Sequence, residues 1–368
     1  MWCWKGDNTM TKHAARNSNL ELLRILCMLM IVADHLAGQS GLGVTDTLSH
    51  TALYAMLGSG SRIGCDVFVI LSAWFLSEQP FRSRRVLSLY LGLWLYTVPL
   101  TLLCCLLPGC DVGIGTLRWA MFPVSTRQLW FVSDYLVLVL LTPLLNAVLR
   151  HLPGRTLSTA LGALGVLMAG YSTLFGEDGV VSSSLFVFVW LYLFVGLLRR
   201  SPGCRVNRLL HRRCVQLALG LGIPAVLTLA RTAALWCGAP ERVLRYLEYW
   251  RTSLGALSNL AASLALVWLF KSLPLGNSRA VNALAGTTLG VYIIHQTPAF
   301  AGFLWNGIFH AAQHPGSWGY AAFVVAATFL GCAAVDGLRD RLVMRPLQNS
   351  RWFGNLCARL DEKINLSD

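Results

Sequence analysis

An arginine and a histidine separated by ten residues, Arg24 and His35, lie inside the first apolar run of this 368-residue chain. Asp34 precedes the histidine directly, and Glu21 lies three residues before the arginine. Eleven helical steps of about 100° make three turns plus roughly 20°, so the pair shares one helix face, about 16 Å apart along the axis. Glu21 falls near the same face. An imidazole takes and returns a proton near neutral pH, which attack of a sugar hydroxyl on an acyl carbon requires. A fixed guanidinium suits a phosphate, such as the pyrophosphate or ribose phosphate of coenzyme A. Both residues also have plainer readings. The histidine would bond a neighbouring helix for packing, and the arginine would snorkel to headgroups or pair with Glu21. Arg or Asp at mid-membrane costs roughly 2.5–3.5 kcal/mol on insertion scales, which makes such residues functional candidates.

Three further segments carry candidates. In Gly64–Ser72 (GCDVFVILS), Asp66 precedes an uncharged run that Ser72 interrupts. Asp66 would position His35 or Arg24, or else cap a helix; Ser72 would bond back to its own helix. In Leu129–Tyr135 (LWFVSDY), Asp134 sits near an outer boundary between Trp130 and Tyr135, which read as an interfacial belt. In Gly290–Pro298 (GVYIIHQTP), Tyr292 and a second intramembrane histidine, His295, precede Pro298, which is expected to bend the helix. His50, His310 and His314 fall in outer loops without a distinct signal. The eleven cysteines form no CxxC pair and no Cys/His ligand spacing, so no metal site is expected. Cys104, Cys105 and Cys110 lie close enough in sequence for a disulfide near an outer loop.

These residues need a membrane scaffold. The chain is 55% hydrophobic and 13% charged, with a mean hydropathy of +0.57, whereas soluble domains are about a quarter charged. The composition predicts an all-α, polytopic integral membrane protein. Of the 30 lysines and arginines, 22 cluster in six segments that alternate with sparsely charged ones. That alternation is the positive-inside pattern, so the net charge of +13 sets topology and does not mark a nucleic-acid surface. Spans between the basic segments number about ten: 20–37, 63–79, 86–107, 129–149, 157–175, 184–198, 214–236, 251–270, 284–305 and 317–336. The expected organisation is a basic cytoplasmic tail over 1–19, a membrane domain over 20–336 and a basic cytoplasmic tail over 337–368. The first apolar run lacks a small-residue cleavage site and is not read as a signal. The C-terminal tail, with leucines and Trp352 punctuating its charges, is expected to form an interfacial helix. The largest connections are placed around 108–128, 199–213 and 237–250. No repeat and no soluble domain longer than a loop is found.

The segments, in this order, resemble the integral-membrane acyltransferase 3 family. Asn19–His35 resembles its Arg-x10-His signature, and Gly64–Ser72 its Gly-Val-Asp-Leu-Phe-Phe-Val-Leu-Ser stretch. Leu129-Trp130-Phe131 and Leu289–His295 carry the rest, and the likeness covers roughly 17–340. Two departures stand out. The family's Ser-Gly-Phe is Ser72-Ala73-Trp74 here, and Ser88 stands where a further arginine would follow Arg82 and Arg85.

The resemblance implies an O-acyltransferase that moves an acetyl or related acyl group from an acyl-CoA to a hydroxyl of a surface carbohydrate or its lipid-linked precursor. It implies His35 and Arg24 as the essential pair and a donor approaching from the cytoplasmic side. Acyl-CoA would be a substrate, with no permanently bound cofactor. Arg24 with Arg82, Arg84 or Arg85 would hold the donor phosphates, and His35 would be the base, with Asp66 or Asp134 in support. Glu21, Asp34, Ser72, Trp130, Tyr292 and His295 complete the candidate set for acceptor binding or support. The location would be the inner membrane. A transporter or flippase explains buried charges equally well but predicts pseudo-symmetric halves with matching broken helices, which are not found. A membrane sensor would need a larger ligand-binding loop or signalling domain.

Overall fold

The computed structural model describes residues 17–42, 47–107, 110, 112–177, 179 and 183–365. The expected N-terminal tail therefore lies, up to residue 16, outside the described residues. The described residues form helices and no strands, with 81% of them in helix. The helices are α1 (Ser18–Gln39), α2 (Leu48–Leu57), α3 (Ser61–Leu76), α4 (Ser83–Cys104), α5 (Ile114–Met121), α6 (Trp130–His151) and α7 (Gly154–Phe175). There follow α8 (Ser184–Arg200), α9 (Arg205–Leu210), α10 (Arg213–Leu217), α11 (Ile223–Trp236), α12 (Glu241–Thr252) and α13 (Leu257–Lys271). The last six are α14 (Arg279–Ala285), α15 (Thr288–Gln296), α16 (Pro298–Gly302), α17 (Trp318–Arg339), α18 (Arg345–Asn349) and α19 (Arg351–Asn365).

Among the described residues, seven helical stretches are long and apolar enough to cross a membrane, against about ten expected. The first, sixth and ninth expected spans are not among them. Each has a physical reason. Helix α1 carries Glu21, Arg24 and Asp34, and α8 is only 17 residues long. The ninth segment is broken, with α15 ending at Gln296 and Pro298 opening α16. Thr297 adopts the extended backbone that a following proline favours. Proline thus starts a new helix here where a bend in one helix was expected. The glycine-rich approach to α3 is irregular only at residues 58–60, so Arg62 and Gly64 are already helical. The expected loop at 237–250 is largely the amphipathic α12, held through Tyr246 Oη to the Thr173 carbonyl at 2.7 Å.

The core centres on α1 and α3. Asn17 caps α1 by accepting the Asn19 N–H at 3.0 Å, and Glu21 occupies the first turn, where a carboxylate suits the helix dipole. A β-carbon on Gly64 would stand 3.0 Å from the Cys27 carbonyl oxygen, so the small residue lets α3 approach α1. Asn146 ties α3, α6 and α8 together. Its amide donates to Leu76 O at 3.1 Å, and its oxygen accepts from Tyr192 Oη at 2.8 Å. At the periphery, α11 buries no residue, and Val166, Val226 and Leu229 are each more than 60% exposed. Such surfaces are stable against hydrocarbon, not water. The ten described cysteines are free, including Cys104, Cys105 and Cys110.

Candidate active site

The one-face geometry of α1 places Arg24 and His35 toward different neighbours in the interior. Near the N-terminal end, Arg24 is buried and its Nη1 pairs with Glu21 at 3.1 Å. Arg24 also lines a cavity of about 870 Å3 that lies among α1, α4, α6, α15 and α17. This size falls within the range typical of small-molecule sites. Arg85, Tyr96, Tyr135, Gly290, Ile293, Asp336 and Arg339 contribute to its wall. A β-carbon on Gly290 would fall 2.0 Å from Asp336 Oδ1, so only glycine permits this approach of α15 to α17. Asp336 accepts from Tyr96 Oη at 2.6 Å and from Arg339 Nη2 at 3.0 Å, and Arg339 also donates to the Gly92 carbonyl at 3.3 Å.

At the other end of α1, His35 Nδ1 lies 2.8 Å from His295 Nε2. His295 Nδ1 lies 2.5 Å from the Val291 carbonyl one turn earlier on its own helix. A carbonyl only accepts, so His295 carries its proton on Nδ1 and presents a bare Nε2. His35 must then donate through Nδ1, which leaves its own Nε2 with a lone pair. The hydrogen-bond chain thus fixes both tautomers of the neutral pair. Tyr292 borders both rings, at 6.2 Å from His35 and 6.1 Å from His295, and Trp305 borders His295 at 6.2 Å. Ile293 lines the cavity two residues before His295, so the cavity wall reaches the turn that carries the histidine.

The remaining candidates separate into groups. Ser72 Oγ bonds back to Phe68 O at 2.8 Å, as its sequence position suggested, and also meets Tyr135 Oη at 2.9 Å beside the cavity. Asp34 lies beside Ser61, Arg62 and Arg251, and no hydrogen bond joins it to His35 among the described residues. Asp66 is fully buried in the second turn of α3, which rules out a capping role. Neither of its carboxylate oxygens has a hydrogen-bond partner among the described residues, so it is not bonded to His35 or Arg24. Asp134 is engaged elsewhere. Arg127 reaches it with two bonds of 3.1 and 2.7 Å, and Ser184 Oγ also bonds it. Those bonds raise the pKa of Arg127, in the loop before α6, so it remains a cation. Trp130 lies under the Arg62 guanidinium at 5.1 Å.

Of the four arginines expected at the donor phosphates, Arg24 and Arg85 line the cavity and Arg82 and Arg84 do not. Arg84 turns away to donate to the Gln348 carbonyl at 2.7 Å and stacks 5.9 Å from Phe353. The residues missed from the sequence are Arg62, Tyr96, Asp336, Arg339, Arg341 and Arg345. The last three stood in a segment read as a tail. Aspartate and arginine at 336 and 339, one turn apart, were the available signal.

A hydrogen-bonded histidine pair, one turn from a cavity walled by arginines inside a membrane-type helical protein, defines a candidate acyl-transfer site. A family model described as an acyltransferase domain matches residues 17–336. The chain belongs to this family, acyltransferase 3, and is a membrane acyltransferase. No curated protein and no solved structure matches the chain.

Proposed function

We propose that the protein is an inner-membrane O-acyltransferase, both termini cytoplasmic, that moves an acetyl or related acyl group from acyl-CoA to a hydroxyl of a surface carbohydrate or its lipid-linked precursor. The observation that carries this reading is the chain Val291 O, His295, His35, which leaves His35 Nε2 as a bare base. The acceptor hydroxyl gives its proton to His35 Nε2 while its oxygen attacks the thioester carbonyl carbon. Collapse of the tetrahedral intermediate breaks the C–S bond, and the departing thiolate takes the proton back from the imidazolium. One ester and one free thiol result. His295 is a positioning residue in this scheme, because it accepts the Nδ1–H throughout and favours the imidazolium when it forms.

Arg24 and Arg85 line the cavity as cations for the donor's phosphates, and an extended pantetheine arm would run from them toward Ile293. The roughly 16 Å between Arg24 and His35 is then a separation the donor spans. Acyl transfer across the membrane follows, with nucleotide on one side and acceptor on the other. The test is transfer of radiolabelled acetyl from acetyl-CoA into cell-envelope material by membranes bearing wild type, His35→Ala or Arg24→Ala at matched expression. Label with wild type alone supports the scheme, and its glycan fraction identifies the acceptor. Full activity of His35→Ala removes it.

A further inference from the structure

The cavity wall holds five guanidinium groups, those of Arg24, Arg85, Arg339, Arg341 and Arg345, against the two carboxylates Asp336 and Asp340. Three of the five have a carboxylate partner. Arg24 pairs with Glu21, Arg339 with Asp336 at 3.0 Å and Arg345 with Asp340 at 2.8 Å. The other two do not. Among the described residues Arg85 forms no ion pair, and its hydrogen bonds go to the Pro80 carbonyl at 3.1 Å and the Gln79 side chain. Arg341 has no hydrogen bond or ion pair among the described residues and is exposed at the wall. It stands in a π-helical turn, residues 340–344, that follows α17 directly. Such turns insert a residue and re-aim side chains, often at functional sites.

The segment carrying Arg341 is anchored. The Ser83 N–H at the start of α4 donates to Asp361 at 2.6 Å, and Ser83 Oγ donates to the Cys357 carbonyl at 3.0 Å. Arg84 donates to the Gln348 carbonyl, and Phe353 beneath its guanidinium is fully buried. These contacts explain why Arg84 is not at the cavity: it fastens the C-terminal helices to the helix that carries Arg85. Arg341 and Arg85 are thereby presented to one cavity from two elements tied together.

We infer that Arg341, on the C-terminal segment beyond the matched family domain, forms a phosphate subsite with Arg85 at the mouth of this cavity. The ligand group is a pyrophosphate or phosphomonoester. On the proposed function, on which this inference rests, it is the nucleotide portion of the acyl-CoA donor. Two unpaired guanidiniums match such a dianion because they gain charge-assisted bonds without first breaking an internal ion pair.

The experiment measures binding of coenzyme A and of pantetheine, which lacks the nucleotide phosphates, by calorimetry on purified protein in a neutral detergent. Wild type, Arg341→Ala and Arg341→Lys are compared. Thermal unfolding confirms that the variants are folded, as expected at an exposed side chain. The expected result is a loss of coenzyme A affinity of about tenfold in Arg341→Ala, within the range for one charge-assisted contact, with a smaller loss in Arg341→Lys. Pantetheine binding stays the same in all three. Equal coenzyme A affinity in wild type and Arg341→Ala overturns the subsite while leaving the donor reading intact. In that case, weaker capture of phosphatidylglycerol vesicles by the alanine variant assigns Arg341 to lipid headgroups. No coenzyme A binding by wild type overturns the donor reading and the subsite with it.

Discussion

The two ends of α1 solve the problem of polar groups inside a membrane protein in opposite ways. At the Arg24 end, guanidinium groups are set against carboxylates, Arg24 against Glu21, with Asp336–Arg339 and Asp340–Arg345 repeating the device across the cavity. At the His35 end, polarity is carried by a neutral hydrogen-bond chain from His35 through His295 to a backbone carbonyl, bordered by Tyr292 and Trp305. The first arrangement tolerates an anionic ligand, because its cations exceed its carboxylates. The second holds an imidazole in one tautomer without placing a net charge in the interior. A donor with an anionic head and a neutral reactive tip is matched to that polarity.

The largest expected effect of breaking this division is at the histidine end. His35→Ala is expected to lower the first-order acyl-transfer rate by about 10²–10⁴-fold, the usual range for a general base. Donor binding should be retained, since the phosphates are assigned to the other end. Stopped single-turnover assays at saturating acyl-CoA separate the two. A variant that instead loses coenzyme A affinity and keeps its rate would merge the two ends into one binding site. At the arginine end, Arg24→Ala leaves Glu21 buried without its partner, at an expected cost of about 3–5 kcal/mol of stability. Replacing both residues by leucine should recover most of that loss, because a buried ion pair and an apolar pair are often close in stability. Chemical denaturation of the three proteins in detergent checks it. A double variant as unstable as the single one would show that the two positions need polarity itself.

How legible this was differed by element. The Arg24–His35 stripe, the helical class and the second histidine all follow from local spacing, because a helix face is fixed by period alone. The pairing of Arg24 with Glu21 was one of two plain readings for the same reason. The His35–His295 bond was not legible, since it joins positions 260 apart that no local rule relates. Asp66 looked like a cap or a partner from its place before an apolar run, yet α3 begins five residues earlier, at Ser61. Asp134 looked available because its partner, Arg127, reaches it from a loop residue with φ of +54°, a backbone turn that sequence does not announce. The arginines after residue 336 were read as a tail because charge density there outweighs apolar periodicity. Packing onto α4, through Ser83 and Phe353, is what brings that segment to the cavity.

A smaller effect sharpens the boundary between the cavity and its wall. Gly290→Ala places a methyl within 2.0 Å of Asp336 Oδ1, so α15 and α17 must part or Asp336 must swing off Tyr96 and Arg339. Overpacking of this kind costs about 1–3 kcal/mol. The companion change Asp336→Asn keeps the crowding and so should not rescue the alanine, whereas Asp336→Ala removes the obstructing carboxylate and should restore part of the stability. A double-mutant cycle on thermal unfolding separates contact from coincidence.

The smallest expected effect concerns Asp134, the carboxylate that the structure ties to Arg127 and Ser184. The Arg127 guanidinium is more than half exposed while the carboxylate is buried, so solvent screens the ion pair from one side. Its loss in Arg127→Ala is expected to cost about 1 kcal/mol or less, because Ser184 still bonds the carboxylate. The acyl-transfer rate should be unchanged, since neither Arg127 nor Asp134 meets the histidine pair among the described residues. A large drop in rate with little change in stability would return Asp134 to the acceptor side of the reaction. It would also make the loop before α6 part of the chemistry and extend the neutral end of α1 to include a working charge.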